Sequence, residues 1–158
     1  MAEPLLPPYT SRMRVALSIA RGLAAARGDT DVTPTHLALG LLQEGQSLAV
    51  AALLHAAVPL GAVRQELEAA LGPPLGRPRP DEVAVPLTPG EQRAVEQARA
   101  ESRLRGNAYV GPEHLLLAIL GEPSSSAAQA LARHGFSPAT AREHLDAASR
   151  GPESDGAV

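Results

Sequence analysis

The chain has no cysteine, no tryptophan, two tyrosines and one phenylalanine in 158 residues, and all fourteen of its basic residues are arginine. Without cysteine there is no disulfide, no thiolate nucleophile and no cysteine-ligated zinc. Without lysine there is neither a Schiff base nor a P-loop, whose lysine must reach the phosphates. The scarcity of aromatics (Tyr9, Tyr109, Phe136) leaves Leu, Ala and Val to build the core. Those side chains suit close helix packing better than a pleated sheet. The net charge of −3 argues against a nucleic-acid binder, which carries a basic stripe. No apolar stretch approaches the ~20 residues that span a bilayer. Met1–Pro8 lacks a basic segment and holds three prolines, unlike a signal peptide. Together these absences predict a soluble, cytoplasmic protein, and nothing calls for a cofactor, a metal or a membrane.

What is present is a duplication. Shifted by 78 positions (88 − 10, Thr10 onto Thr88), the two halves align without a gap. Ala16 falls on Ala94, Arg27-Gly28 on Arg105-Gly106, Val32 on Val110, Pro34 on Pro112, and His36-Leu37 on His114-Leu115. The register continues through Glu44/Glu122, Leu53/Leu131, Arg64/Arg142 and Leu67/Leu145. Two units of ~70 residues are each marginal alone, so a shared core and a pseudo-twofold axis follow.

Each unit reads as four helices. Ala16, Leu17, Ala20 and Ala24 recur at helical spacing between Thr10 and Arg27, and Gly28 closes that segment. Thr33-Pro34 opens Pro34–Glu44, with Thr as N-cap and Pro at the first helical position. Its run Leu37-Ala38-Leu39-Gly40-Leu41-Leu42 is apolar nearly all round and marks the most buried element. Further helices are predicted over Ser47–Ala57, Leu60–Leu71, Pro89–Arg105, Pro112–Leu120, Ser125–His134 and Pro138–Ser149. The expected fold is therefore all-α, eight helices in two four-helix repeats. Residues 1–8 form a loose lead-in and 9–149 one domain (repeat one 9–71, a Pro/Gly-rich linker 72–86, repeat two 87–149), with a polar tail at 150–158.

Repeat two carries Leu87-Thr88-Pro89 and, further on, Tyr109-Val110-Gly111-Pro112-Glu113-His114-Leu115-Leu116-Leu117-Ala118-Ile119-Leu120. This resembles the N-terminal domain of the Clp/Hsp100 family of AAA+ unfoldases, most closely its ClpC and ClpA branch. Repeat one has a degraded version, Val32-Thr33-Pro34-Thr35-His36-Leu37-Ala38-Leu39. The resemblance covers Tyr9 to Ser149 and implies a free-standing recognition module without ATPase modules. Its implied partners are a Clp AAA+ unfoldase, that enzyme's substrates or its adaptors. In some ClpC proteins such a module binds phosphoarginine, a degradation mark, at one site per repeat. There the first-helix threonine helps hold the phosphate and the signature glutamate pairs with the guanidinium.

A phosphoarginine carries both signs of charge and needs an anion donor set close to a carboxylate. Helix N-termini supply free N–H groups for the phosphate, and a carboxylate matches the guanidinium fork. In repeat two, Thr88 and Glu113 provide the two parts. In repeat one Thr10 remains, but Thr35 stands where the glutamate should be, so that site is expected to be lost or altered. Arg93 supports Thr88, Glu91 opposes it, and Arg12 and Arg14 follow Thr10. Each residue also has a plain structural reading. Glu113 complements a helix dipole by ~0.3–1 kcal/mol, and Thr10 and Thr88 serve as N-caps contributing ~1 kcal/mol each.

His36 and His114 repeat with their units and read as packing or capping groups, since no further ligand lies at helical spacing. His55, His134 and His144 read as unpaired residues on surface helices. Arg99, Arg103 and Arg105 beside Glu96 and Glu101 read as a solvated face with local ion pairs. The leading functional expectation is a non-catalytic protein- or peptide-binding module acting on a Clp unfoldase. The competing class is a DNA-associated regulator built on a helix-turn-helix mimic, against which the acidic balance weighs.

Overall fold

A computed structural model describes residues 7–79 and 87–150. Residues 1–6 of the lead-in, 80–86 of the linker and 151–158 of the tail lie outside the described residues. The described residues form eight helices: α1 (Ser11–Ala26), α2 (Pro34–Glu44), α3 (Leu48–His55), α4 (Leu60–Leu71), α5 (Pro89–Leu104), α6 (Pro112–Leu120), α7 (Ser126–Arg133) and α8 (Pro138–Ser149). The all-α expectation holds, and the bounds differ from those predicted mainly because cap residues fall outside the helices. No single helix among the described residues is long and apolar enough to cross a membrane.

Local chemistry sets the starts. Thr10, Ser47, Thr88, Ser125 and Ser137 each accept a backbone N–H of the first turn, satisfying a donor that has no partner within the helix. Proline occupies the first position of α2, α5, α6 and α8, where its missing N–H costs nothing. In α2 and α6 a histidine supplies the reciprocal half of the cap. His36 Nδ1 accepts the Thr33 N–H and His114 Nδ1 accepts the Gly111 N–H, both at 2.9 Å. An Nδ1 that accepts leaves the proton on Nε2, which donates to Asp29 Oδ2 at 2.6 Å and to Asn107 Oδ1 at 2.8 Å respectively. Burial, ahead of the nearby charges, holds the His114 pKa below its ordinary value, as this neutral tautomer requires.

Packing is exchanged between the repeats. Beyond the hairpins α1–α2 and α5–α6, α3 packs on α8 and α7 on α4, so each short third helix lies against the fourth helix of the other unit. α2 meets α6, and each also meets the other repeat's third helix. α6 is buried along its whole length, and one continuous apolar cluster draws on both repeats from Met13 to Leu145. Neither unit could bury these faces by itself.

The same exchange corrects the reading of three histidines as unpaired, although His55 stays exposed. His55 Nδ1 lies 2.8 Å from His144 Nδ1 across the α3–α8 contact. His134 Nε2 lies 3.3 Å from Glu66 Oε2 across the equivalent α7–α4 contact. Glu101 is likewise no solvated partner of a neighbouring arginine. It is 5% exposed and takes Arg142 Nη2 of α8 on both oxygens, at 3.1 and 3.2 Å. Arg105 reaches Asp146 of α8 at 2.9 Å. Both arginines bridge to another helix, and each pairs there with an acid of the partner element.

The C-termini of α3 and α7 show the duplication as a controlled comparison. Ala57 and Val58 donate to Leu54 O and Leu53 O, and Gly135 and Phe136 to Ala132 O and Leu131 O, all at 3.0 Å. The left-handed residue is Gly135 (φ 78°) in one copy and Ala57 (φ 58°) in the other. A left-handed L-residue costs about 1–2 kcal/mol, partly offset by the lower unfolded-state entropy of Ala. Ala57→Gly is therefore expected to stabilise the fold by about 0.5–1 kcal/mol, read as a higher denaturation midpoint, while Gly135→Ala destabilises it.

Candidate functional site

The first two helices of each repeat are antiparallel. Arg12 at the start of α1 pairs with Glu44 at the end of α2 at 2.9 Å, and Arg93 near the start of α5 approaches Glu122 just beyond α6 at 3.9 Å. The start of the second helix consequently lies at the far end of the first. For repeat two that is the length of α5, 16 residues or about 24 Å. Thr88 and Glu113, expected to act together, are held apart by this geometry, and one arginine-sized ligand does not reach both.

The start of each first helix docks instead on the other repeat. Thr10 N–H donates to Val110 O at 3.1 Å and Val110 N–H donates to Pro8 O at 2.9 Å, a short parallel bridge. Thr88 Oγ1 accepts the Val32 N–H at 3.0 Å. Two composite poles result. The α1 pole brings Thr10, Arg12 and Arg14 to the turn that leads into Glu113. The α5 pole brings Thr88 and Arg93 to the turn that leads into Thr35.

The α5 pole is already filled. Asp31 Oδ1 accepts the Gly90 and Val32 N–H groups, each at 2.9 Å, which places a carboxylate on the open end of α5. Burial pushes this carboxyl up, but hydrogen bonds from Thr88, Gly90 and Val32 and the charge of Arg93 together hold its pKa below the ordinary range. Glu91 is not the obstacle that its position suggested. It is 1% exposed and bidentate with Arg21, whose Nε lies 2.9 Å from both oxygens. That hydrogen-bonded pair raises the Arg21 pKa.

The α1 pole holds no acid in the first turn of its helix. Arg14 is exposed, and Arg12 is 54% exposed while it pairs with Glu44. Glu113, second residue of α6, is 5% exposed and accepts the Tyr109 hydroxyl on Oε2 at 3.1 Å. A Cβ at Gly111 would stand 2.4 Å from Glu113 Oε1, so the carboxylate folds back over the bare Cα and would have to shift for a larger residue. Repeat one has Thr33 at that position, and the loss of glycine accompanies the loss of the glutamate at Thr35. Tyr109 covers the carboxylate, and burial first, then the Glu113 charge and hydrogen bond, raise the phenol pKa. Beside Tyr9, Arg99 of α5 donates to the tyrosine hydroxyl at 3.2 Å. Arg99, expected on a solvated face with local ion pairs, lies instead against Tyr9, and no spacing along the chain signals that contact. Among the described residues no group of acids and histidines is arranged to hold a metal ion.

The family model described as the Clp repeat (R) N-terminal domain matches residues 8–134 and, in a second match, residues 86–157. The chaperone protein ClpB of Oceanobacillus iheyensis is 30% identical over 137 residues, 87% of this chain and 16% of that protein. The negative regulator of genetic competence ClpC/MecB of Bacillus subtilis is 29% identical over 137 residues, again 87% of this chain and 16% of that protein. The N-terminal domain of the ClpV1 ATPase of E. coli has the same fold, with a TM-score of 0.69 and 23% identity over 87% of this chain and 83% of that one. The chain thus spans only 16% of the length of these two curated relatives.

Two outcomes are expected from this geometry. In a Tyr9→Phe background, ultraviolet titration should show the Tyr109 phenol ionising above pH 10, and Glu113→Gln should bring it down towards that value. Asp31→Asn should cost about 1–2 kcal/mol at neutral pH by weakening the α5 cap. A depressed carboxylate contributes its stability above the unfolded pKa near ~3.9 and loses it as pH falls through the folded value. Denaturant titrations of the two proteins should therefore converge as pH drops below ~4.

Proposed function

Because this chain belongs to the Clp repeat N-terminal domain family, we propose that it is a non-catalytic module that binds proteins or peptides in the service of a Clp AAA+ unfoldase. Its ligands are that enzyme's substrates, their degradation marks or adaptors, and its working compartment is the cytoplasm. Ligands shared with the unfoldase would be delivered if a second surface contacts the enzyme. If none does, they are withheld by mass action, because a free domain lowers their free concentration.

The observation that carries the finer reading is the inequality of the two poles. At the α5 pole the helix start is occupied by Asp31, whereas the α1 pole offers a helix start without an acid, with Arg14 exposed in its first turns and Thr10 bonded to Val110, three residues before Glu113. A phosphoarginine side chain binds here, with its phosphate on the N-terminus of α1 and its guanidinium on Glu113 after the Tyr109 hydroxyl turns away. The module therefore reads one arginine mark, at a site to which each repeat contributes one half. The reading as a DNA-associated regulator has no surface behind it. The second helix of the repeat-two hairpin, which would have to enter a groove, is buried from Pro112 to Leu120.

Calorimetric titration of phosphoarginine and of a phosphoarginine peptide tests this. Wild type should bind, Glu113→Gln and Thr10→Ala should each weaken binding at least about tenfold, roughly 1.4 kcal/mol, and Thr88→Ala should leave it unchanged. Binding that survives the first two substitutions, or that is lost only with the third, would overturn the site. Failure of wild type to bind either ligand would leave an adaptor or scaffold role.

A further inference from the structure

Positions 78 apart (88 − 10) are equivalent, so each half of the molecule is a reference for the other. At the α5 pole two carboxylates occupy the first turn of the helix. Asp31 sits on the Gly90 N–H, and Glu91 forms a bidentate pair with Arg21, which reaches it from α1. Moved by 78 positions, Asp31 becomes Tyr109, Glu91 becomes Met13 and Arg21 becomes Arg99. The arginine is kept and both anions are gone.

Arg99 lives accordingly. Its guanidinium lies 5.7 Å from the centre of the Tyr9 ring and donates from Nη2 to the Tyr9 hydroxyl. Its Nε is buried without a hydrogen-bond partner. A buried guanidinium N–H with no acceptor is costly, and a neutral phenol answers only one of its five donors. Arg99 meets the side chain of Tyr9, the residue before Thr10, as Arg21 meets the side chain of Glu91 in the first turn of α5. No acid stands in the first turn of α1 to meet it.

We propose that Arg99 is the principal anion-holding residue of the α1 pole and that the group it holds is a phosphate carried by a partner's side chain. With the Tyr9 side chain moved off the guanidinium, the Nε–H and an Nη donor take two phosphate oxygens, and the open N–H groups of α1 take a third. The α5 pole shows this arrangement filled, with Glu91 and Asp31 standing where the phosphate oxygens go in the other half. The inference rests on the α1 pole being the ligand site, and it adds the residue that supplies most of the phosphate contacts there.

Titration with inorganic phosphate alongside phosphoarginine separates the two claims. Inorganic phosphate should saturate wild type, Arg99→Gln should weaken it at least about tenfold, and Arg103→Gln, an exposed charge on the same helix, should change it less than about twofold. Met13→Glu restores the partner that Arg21 has in the other half and should abolish phosphate binding. Tyr109→Asp, at a less buried position, should weaken binding as well should Met13→Glu fail to fold. Arg99→Gln that binds phosphate like wild type, or a wild type that binds none, overturns the proposal. Phosphate bound through Arg99 with no gain for phosphoarginine upholds it and removes the guanidinium half of the reading above.

Discussion

The structure depends on one constraint: the first helix of each repeat begins on the other repeat. Thr10 and Pro8 are pinned to Val110 by one backbone hydrogen bond each, and Thr88 to Val32 through its hydroxyl. An α-hairpin keeps the starts of its two helices a full helix apart, so the crossing is what brings a helix start and a signature turn together. The exchange of α3 and α7 onto α8 and α4 follows the same logic in the core. Each repeat lacks a partner for its own apolar face and finds one in its twin.

Symmetry of scaffold then sets off asymmetry of charge. Both second helices keep the histidine that caps their start with a neutral Nδ1, and its Nε2 proton goes to Asp29 in one copy and Asn107 in the other. Around those shared caps the acids have been redistributed. Repeat one has Asp31 where repeat two has Tyr109, and repeat two has Glu113 where repeat one has Thr35. A carboxylate at Asp31 fills the start of α5, and a tyrosine at Tyr109 leaves the start of α1 open while shielding Glu113. At one pole a carboxylate occupies the helix start, and at the other no acid stands in the first turn.

Much of this was legible in the chain. The eight helices follow from period, N-caps and first-turn prolines, because those signals act within a few residues of where they stand. Thr10, Thr88 and Glu113 stood out for the same reason. Their pairing was misread as within a repeat, although antiparallel hairpins joined by short turns already forbid it. Gly111 was a second usable signal, since the Glu113 carboxylate folds back over its bare Cα. Glu91 and Arg99 carried no local sign of their roles. One is buried by Arg21, 70 residues away, and the other finds Tyr9, 90 residues away.

The sequence by itself determined the helices, their caps, the duplication and the family, because each rests on neighbours in the chain or on a pattern repeated along it. Only the tertiary structure decided which threonine faces which turn, which carboxylate is already spent and which arginine lacks an anion. Those outcomes depend on atoms brought within ~3 Å from opposite halves, and short-range chemistry of that kind has no signature in sequence spacing.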